Sequence, residues 1–339
     1  MISFPSIDQF RHVIQAINWK SRSIRGIDNK PFYDQSLPLP KLIFSGTVKL
    51  HGSNTAIVFD NGNVYFQSRS RVITPTDDYF GFASTMTKYS SCTEILCGAI
   101  KSTFDVAEDQ VVAVYGEWCG DKIQKGVALA QLPKMFVYFA IRVGEVWVDI
   151  SRLKSVEFEQ ERIFNIHRFG EYEIEINFER PQDIQEHINE LTLQVEAECP
   201  AGKYFGVSDV GEGIVWKCIS EGYNNNSEFW FKTKGTAFML NSTPKEPASI
   251  QVFDAASVTA FVDEFVSENR LQQGLQVLVE RSNRIEMQQM RDFIKWVQQD
   301  IAKEENDALV ANNLNLKHVN HAIADKARKW FTDTIKNQA

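Results

Sequence analysis

The sequence predicts an α+β protein, in which a region of mixed strands and helices at 1–243 precedes a small all-helical region at 250–339. Short β-runs follow one another between Leu42 and Ser151, whereas beyond residue 250 apolar residues recur at helical spacing. The segment between the two regions, NSTPKEPAS at 241–249, contains two prolines and shows no periodicity, which is typical of a linker. A chain of 339 residues is long enough for two domains.

The first region begins with a predicted helix from Ile7 to Trp19 and continues into β-runs. These runs read LIFSGTVKL, TAIVFDNGNVYFQS, VVAVYGEW, MFVYFAIRV and EVWVDI. The DNGN in the second run predicts a hairpin, because Asn-Gly suits the tight turns that join antiparallel strands. Helices are predicted between Thr85 and Phe104 and from Pro181 to Glu198, and strands return in GEGIVWKCIS and EFWFKTKGTAFML.

The second region contains three amphipathic patterns, at 258–265, 290–301 and 322–331. In each, apolar residues lie three or four positions apart, so that they share one helix face. Residues 250–339 are therefore predicted to form a small helical domain with its own core.

Composition narrows the functional class only slightly. Hydrophobic residues make up 43% and charged residues 24%, as in soluble globular proteins, and no apolar run is long enough to span a membrane. The N-terminus lacks the features of a secretory signal, and the five cysteines form no CxxC pair, which favours a cytoplasmic protein with reduced thiols. A net charge of −8 argues against a largely cationic surface but allows a local basic groove for nucleic acid.

The segment Lys49-Leu50-His51-Gly52-Ser53-Asn54 directly follows a β-run. A lysine that ends a strand and is followed by a glycine turn can bring its amine against a phosphate, and His51, Ser53 and Asn54 can donate hydrogen bonds to phosphate oxygens. The structural alternative is a polar hairpin turn. Neither a GxxxxGK[ST] loop nor a GxGxxG loop occurs, so the common nucleotide-binding loops are excluded.

Further charged residues stand at the ends of the other predicted strands. Lys232 and Lys234 alternate in FWFKTKG, which places both on one face of a strand. The others are Arg69 and Arg71 in FQSRSRV, Glu117 in VYGEWCG, Glu212 in GEGIVWK, and Lys217 five residues after it. Each taken singly is typical of a solvated charge or a structural ion pair. Together they place cations and carboxylates around one sheet.

In this order the segments resemble the motifs of the covalent nucleotidyltransferases, the superfamily of ATP- and NAD-dependent ligases and mRNA capping enzymes. The resemblance covers about residues 42–240 and is closest to the RNA ligase 2 type of phages, related to the kinetoplastid RNA-editing ligases. His51-Gly52 stands where DNA ligases and capping enzymes usually have Asp-Gly, and TPTDDYFGF, KIQKGV and FVYFAI also match. The resemblance implies that 1–243 is an adenylyltransferase domain, unrelated to the ATP-grasp fold, of antiparallel sheets with flanking helices. The helical tail matches only in size and class.

The resemblance also implies roles for the candidate residues. Lys49 would be the nucleophile that becomes adenylylated, and His51 would assist transfer of AMP. Lys232 and Lys234 would hold the α-phosphate. Asn54 and Arg69 would contact phosphates, Glu117 would bind the ribose hydroxyls, and Phe139 would stack on adenine. Glu212 would help to hold a divalent metal. Lys217 is a further candidate for binding the nucleotide.

One of these assignments carries an alternative, because Phe139 can also be an ordinary core aromatic. One position departs from the pattern of the family. Some relatives have Glu immediately before the nucleophile, where this chain has Val48, so an adenine contact from that carboxylate side chain is not expected, whereas a backbone contact could survive.

The resemblance implies an ATP-dependent RNA ligase that requires Mg²⁺ or Mn²⁺. It would join 5′-phosphate to 3′-hydroxyl ends through a lysyl-adenylate and an adenylated 5′ end, at nicks in duplex or bridged RNA. We expect a monomer in the cytoplasm, the host's if the protein is phage-encoded. Arg281, Arg284 and Arg291 are predicted to position the polynucleotide, although solvated helix charges would look the same.

Two other readings stay open. A DNA ligase or an mRNA guanylyltransferase would typically carry strands of an OB-fold after the last motif, where 250–339 has helical periodicity instead. A catalytically dead RNA-binding module would not need the complete set of Lys49, Glu117, Glu212, Lys232 and Lys234.

Overall fold

The computed structural model describes residues 1–25, 31–78, 80–235, 255–282, 285–305, 308–309 and 314–336. The chain divides into two compact units, one covering Met1–Thr76 and Phe80–Ala237, the other Asp77–Tyr79 and Phe238–Ala339. The predicted linker at 241–249 lies outside the described residues, so the boundary between 243 and 250 stays a prediction. The α+β class is confirmed, because the first unit contains antiparallel sheets with flanking helices and the described elements of the second are helical.

The larger sheet of the first unit has seven strands. Its strands run in the order β10-β8-β7-β4-β5-β6, with β9 also paired to β8, and every pair is antiparallel except β10–β8. The strands are β4 (Ser53–Asp60), β5 (Asn63–Ser68), β6 (Val72–Ile73), β7 (Val112–Cys119), β8 (Met135–Val143), β9 (Val146–Val148) and β10 (Ile163–Asn165). The DNGN hairpin is confirmed: Asn61 and Gly62 both have positive φ, at 49° and 78°, between β4 and β5.

The smaller sheet has four antiparallel strands in the order β11-β3-β12-β13. They are β3 (Lys41–Lys49), β11 (Tyr172–Asn177), β12 (Gly213–Cys218) and β13 (Trp230–Lys234). The chain leaves this sheet at Lys49 and enters the larger sheet at Ser53, so the segment 50–52 connects the two sheets. A separate pair consists of β1 (Ser23–Arg25) and β2 (Pro31–Tyr33).

Five helices flank these sheets in the described residues of the first unit: α1 (Phe10–Arg22), α2 (Phe82–Lys88), α3 (Ser90–Phe104), α4 (Gln185–Ala197) and α5 (Pro200–Tyr204). The helix predicted between Thr85 and Phe104 is thus two helices, which meet at Tyr89. The predicted first helix begins at Phe10 and not at Ile7, because the residues before it run extended against the sheets, where Asp8 bridges Phe231.

The helical unit contains α6 (Ala255–Phe265), α7 (Glu268–Ser282), α8 (Met290–Glu304) and α9 (Leu316–Lys336) among the described residues. Its core contains the apolar residues that the sequence pattern selected, including Phe293, Val297 and Ile301 of α8 and Ile323 and Phe331 of α9. Arg270 is buried in this unit and pairs with Asp300 and Glu305, each at 2.8 Å.

None of the described helices combines the length and the apolar character that crossing a membrane requires.

Candidate active site

The register of the smaller sheet aligns three strand ends. Gly213 of β12 lies opposite Lys49 of β3 on one side and opposite Lys234 of β13 on the other. Gly213 has φ +149°, and a Cβ there would stand 2.1 Å from the Thr233 carbonyl oxygen. Only glycine fits between the two strands. Because Gly213 has no side chain, the side chain of the preceding residue, Glu212, can occupy the space between the two lysines.

Glu212 connects the basic side chains of this edge. Its Oε2 lies 2.5 Å from Lys49 Nζ and 3.0 Å from His51 Nδ1, and its Oε1 lies 3.3 Å from Lys234 Nζ. The Glu212 side chain is fully buried, whereas those of Lys49 and Lys234 are 22% and 24% exposed. Both lysines therefore combine a fixed carboxylate partner with access to a ligand that arrives from solvent.

The basic side chains around Glu212 keep its carboxyl group ionised. Burial by itself raises the pKa of the carboxyl group, but the charges of Lys49, Lys234 and His51, with the hydrogen bond to His51, together hold that pKa well below its ordinary value. Glu212 is thus a carboxylate at neutral pH. Because removing one partner of a buried ion pair leaves an uncompensated charge, the cluster depends on all its members.

Lys232 lies two residues before Lys234 on the same strand, and it pairs across the sheet with Val215. Since residues two apart on a strand share a face, Lys232 and Lys234 point to the same side of the sheet. The backbone N–H of Lys232 donates to the carbonyl oxygen of Asp8 at 3.0 Å.

Glu117 and Asn54 are direct neighbours in the larger sheet, on β7 and β4. A Cβ at Gly52 would stand 2.9 Å from Glu117 Cγ and 2.5 Å from the Trp118 carbonyl oxygen. The glycine after His51 is therefore required for the close approach of this segment to β7. In this way the structure brings the segment that follows Lys49 against the predicted ribose-binding carboxylate.

Arg69 is exposed and lies one residue beyond Ser68, which pairs with Thr55 on β4. This position is at the same end of the larger sheet as Asn54 and Glu117, because Thr55 also pairs with Gly116. The structure thus places Arg69 near the strand ends that carry two other predicted nucleotide contacts.

Phe139 of β8 is half-buried, and its ring meets that of Phe4 edge to face at 5.3 Å between centroids. The carbonyl oxygen of Phe139 accepts a hydrogen bond from Lys217 Nζ at 2.5 Å, and the same ammonium lies 4.5 Å from the centroid of Trp230. Burial lowers the pKa of Lys217 to about 8, against the attraction of Asp149. Lys217 therefore has partners within the fold and connects the two sheets.

The N-terminal segment was not among the predicted site residues. The Ile2 carbonyl oxygen accepts a hydrogen bond from Tyr115 Oη at 2.9 Å, and the Ile2 N–H donates to Gln67 Oε1 at 3.0 Å. Phe4 packs among the rings of Tyr115, Phe139, Trp147 and Trp230. No local pattern marks these residues, because their partners are distant in the sequence.

The carboxylate of Glu212 suits a divalent cation that takes its other ligands from a bound substrate and from water. Among the described residues, no three His, Cys, Asp or Glu side chains form a group that could hold a metal ion by themselves. Glu212 Oε1 is buried and accepts no hydrogen bond from the described residues, since the geometry to Lys234 Nζ at 3.3 Å is that of an ion pair alone. A single carboxylate oxygen of this kind fits Mg²⁺, which commonly takes one or two carboxylates, with substrate phosphates and water as its other ligands.

Two sheets of mostly antiparallel strands, a lysine at the point where the chain passes from one to the other, and a buried carboxylate shared with a second lysine agree with the resemblance of the motifs to the covalent nucleotidyltransferases. The family model described as RNA ligase matches residues 43–234, which is more than half of the chain. The chain belongs to the RNA ligase family.

Solved structures of Naegleria gruberi RNA ligase are similar to this chain. A lysine-to-methionine mutant with AMP and Mn has a TM-score of 0.44 at 15% identity, and a glutamate-to-alanine mutant with ATP and Mn has a TM-score of 0.45 at 15% identity. Each comparison covers 70% of this chain and 57% of the other. The chain thus spans little more than half the length of these ligases.

Proposed function

We propose that this protein is an ATP-dependent RNA ligase that works through a lysyl-adenylate on Lys49. The observation that carries the proposal is the cluster of Lys49, His51, Lys234 and Glu212, in which an accessible lysine amine stands beside a second cation. Membership of the RNA ligase family supports the substrate class. ATP and Mn in the structures of Naegleria gruberi RNA ligase agree with the proposed nucleotide and a divalent metal.

In the first step the Lys49 amine attacks the α-phosphorus of ATP. An N–P bond forms, the bond from the α-phosphorus to the bridging oxygen breaks, and pyrophosphate leaves with the electron pair. The amine must lose a proton, which can pass to water because the Lys49 side chain is 22% exposed. Lys232 and Lys234 offset the negative charge that develops on the α-phosphate.

Glu212 has two roles in this proposal. In the absence of nucleotide it neutralises Lys49 and Lys234, which would otherwise repel each other across Gly213. When ATP brings its own negative charge, Glu212 Oε1 can bind a divalent cation. Such a cation would supply charge neutralisation at the phosphates.

The remaining steps reuse the same cations. A 5′-phosphate oxygen of the RNA attacks the phosphorus of the lysyl-adenylate, the N–P bond breaks, and Lys49 recovers its proton. The 3′-hydroxyl of the second end then attacks the 5′-phosphate, loses its proton and displaces AMP. A phosphodiester bond forms. Over the three transfers one ATP is consumed, and one AMP and one pyrophosphate are released.

The favoured substrate is a nick in duplex or bridged RNA with 5′-phosphate and 3′-hydroxyl ends, bound by a monomer. Adenine would stack against Phe139 and the ribose would bind Glu117, with Asn54 and Arg69 at phosphates. These assignments rest on the resemblance of the motifs and on their placement along the edges of the two sheets.

The test is to incubate the protein with each α-labelled nucleoside triphosphate and Mg²⁺, followed by intact-mass measurement. We expect one acid-labile adenylate, absent in Lys49→Ala and retained in Lys41→Ala, which changes an exposed lysine on the same strand. An adduct that persists in Lys49→Ala overturns the nucleophile. Labelling by GTP alone indicates a guanylyltransferase, and no labelling at all indicates a binding module.

The substrate is tested separately with nicked duplexes of RNA, DNA and hybrid composition. Sealing of RNA nicks in preference to DNA nicks is expected. Equal or better sealing of DNA would favour the DNA ligase reading.

A further inference from the structure

The helical unit contains a groove between α8 and α9 that the active site does not use. Its volume is about 570 Å³, and it is lined by Gln288, Met290, Arg291, Ile294, Lys295, Gln298 and Arg328. None of these seven residues is acidic, although the chain as a whole has a net charge of −8. The groove is therefore a local concentration of positive charge.

The cations of the groove are available to a ligand. Arg291 and Lys295 are exposed, and neither has an acidic partner within the part of the chain that the structure describes. They lie four residues apart on α8, about 6 Å along the helix axis, so they share one face. Arg328 of α9 is also exposed, and it pairs with Asp325 at 2.7 Å. Exposed ion pairs of this kind are weak, and a phosphate can replace the carboxylate.

The other lining residues suit a polar chain with an apolar component. Gln298 donates its amide to the Asn320 carbonyl oxygen at 3.0 Å, which holds α8 and α9 together beside the groove. Met290 and Ile294 contribute apolar surface between the cations. Cations spaced one helical turn apart match a ligand with regularly repeated negative charges better than a single anion.

We propose that this groove binds the sugar–phosphate backbone of the RNA substrate, with Arg291, Lys295 and Arg328 as phosphate contacts. The inference rests on the proposed function for the identity of its ligand. Three arginines were suggested by the sequence, and Arg284 lies outside the described residues. Of the other two, Arg291 lines the groove, whereas Arg281 is exposed near the end of α7.

The experiment measures binding of a nicked RNA duplex to the full chain by fluorescence anisotropy between about 50 and 200 mM salt, without ATP. Each phosphate contact contributes about 0.7–0.9 to the slope of log K against log salt. The triple variant Arg291→Gln, Lys295→Gln and Arg328→Gln should therefore reduce the magnitude of this negative slope by about 2–3. Arg291→Lys with Arg328→Lys keeps the charges and should leave the slope near that of the wild type.

The matched control replaces three exposed cations of the same unit that are not among the groove residues, with Lys317→Gln, Lys329→Gln and Lys336→Gln. This variant has the same net charge as the groove variant, so a general charge effect would reduce the magnitude of both slopes equally. An equal decrease in the control, or an unchanged slope in the groove variant, overturns the proposal. A slope that is unchanged for RNA while binding of polyglutamate is lost would assign the groove to an acidic peptide and also overturns it.

Self-adenylylation of the wild type is measured in parallel, because it requires ATP but no RNA. If the wild type forms no adenylate, the proposed function fails, and the binding slopes still report on the groove. If the wild type forms the adenylate but the groove variant binds RNA with the wild-type slope, only the groove assignment fails.

Discussion

The two units of this protein use basic side chains in opposite ways. In the first unit Lys49 and Lys234 converge on the buried carboxylate of Glu212, and their positions are set by strand register. In the helical unit Arg291 and Lys295 extend from one face of α8 into an open groove.

A cation that takes part in chemistry has to stand within about half an ångström of its productive position, so it needs a fixed partner. A cation that binds a phosphate backbone needs only accessibility, because that attraction is long-ranged and does not depend on base sequence. We therefore expect the same residue types to differ in their tolerance to change between the two units.

The largest expected effect comes from separating the units. A chain that ends at Ser242 keeps every residue predicted to contact ATP, so we expect it to form the adenylate on Lys49. It lacks the groove between α8 and α9, and sealing of nicked RNA should be lost. Both activities are measured on the truncated and the full chain. Retained sealing would show that the helical unit is dispensable, and loss of both activities would show that the units fold as one.

Glu212→Ala tests the dependence of the first unit on its buried carboxylate. The substitution leaves Lys49 and Lys234 without their common partner and removes the oxygen proposed to bind a metal. Loss of one preorganised electrostatic contact typically lowers a rate about 10²–10³-fold, and we expect that range for self-adenylylation. Glu175→Ala, on an exposed carboxylate of β11 in the same sheet, serves as control. Near-normal adenylylation by Glu212→Ala at limiting Mg²⁺ would contradict the role.

Phe139→Ala tests whether the aromatic ring of β8 stacks on adenine or only packs in the core. Stacking of a base on an aromatic ring contributes about 1–3 kcal/mol in nucleic-acid sites, so ATP should bind about 5–150-fold more weakly. Phe139→Tyr should keep the affinity, because it keeps the ring. Calorimetric titration with ATP measures the change. If Phe139→Leu binds ATP as tightly as the wild type, the ring serves packing against Phe4 alone.

The smallest expected effect concerns Lys217, whose burial lowers its pKa to about 8 from 10.5. Below pH 8 the side chain is protonated in the folded and the unfolded state, and the cost of burying the charge opposes folding in full. Between pH 8 and 10.5 the folded state releases the proton first, so the unfolded state binds more protons and stability rises with pH.

The measurement compares the free energy of unfolding of the wild type and Lys217→Met from pH 7 to pH 10. The difference should shift in favour of the wild type as the pH rises. Lys41→Met, at an exposed lysine, is the control. A difference that does not change with pH would contradict the lowered pKa.

Several features of the fold could be predicted because each depends on neighbours in the sequence. The hairpin at Asn61 and Gly62 follows from the conformations that those two residues prefer, and the helices of the second unit follow from the spacing of apolar residues. The break at Tyr89 was missed, because apolar residues continue through it and no proline or glycine marks it. The catalytic, nucleotide and metal roles of the site residues stay predictions.

The order of the amino acids specifies which residue types stand at the strand ends, and the motifs around Lys49 indicate the RNA ligase family. Which of these residues contact one another depends on the packing of elements that are distant in the chain. His51 and Glu212 are 161 residues apart in the chain and hydrogen-bond because β12 lies beside β3. Phe4 reaches Phe139 because the N-terminal segment runs against both sheets, and Arg328 joins Arg291 because α9 packs on α8. Local patterns specify the period and the ends of an element, whereas the register between distant elements depends on how their buried faces pack.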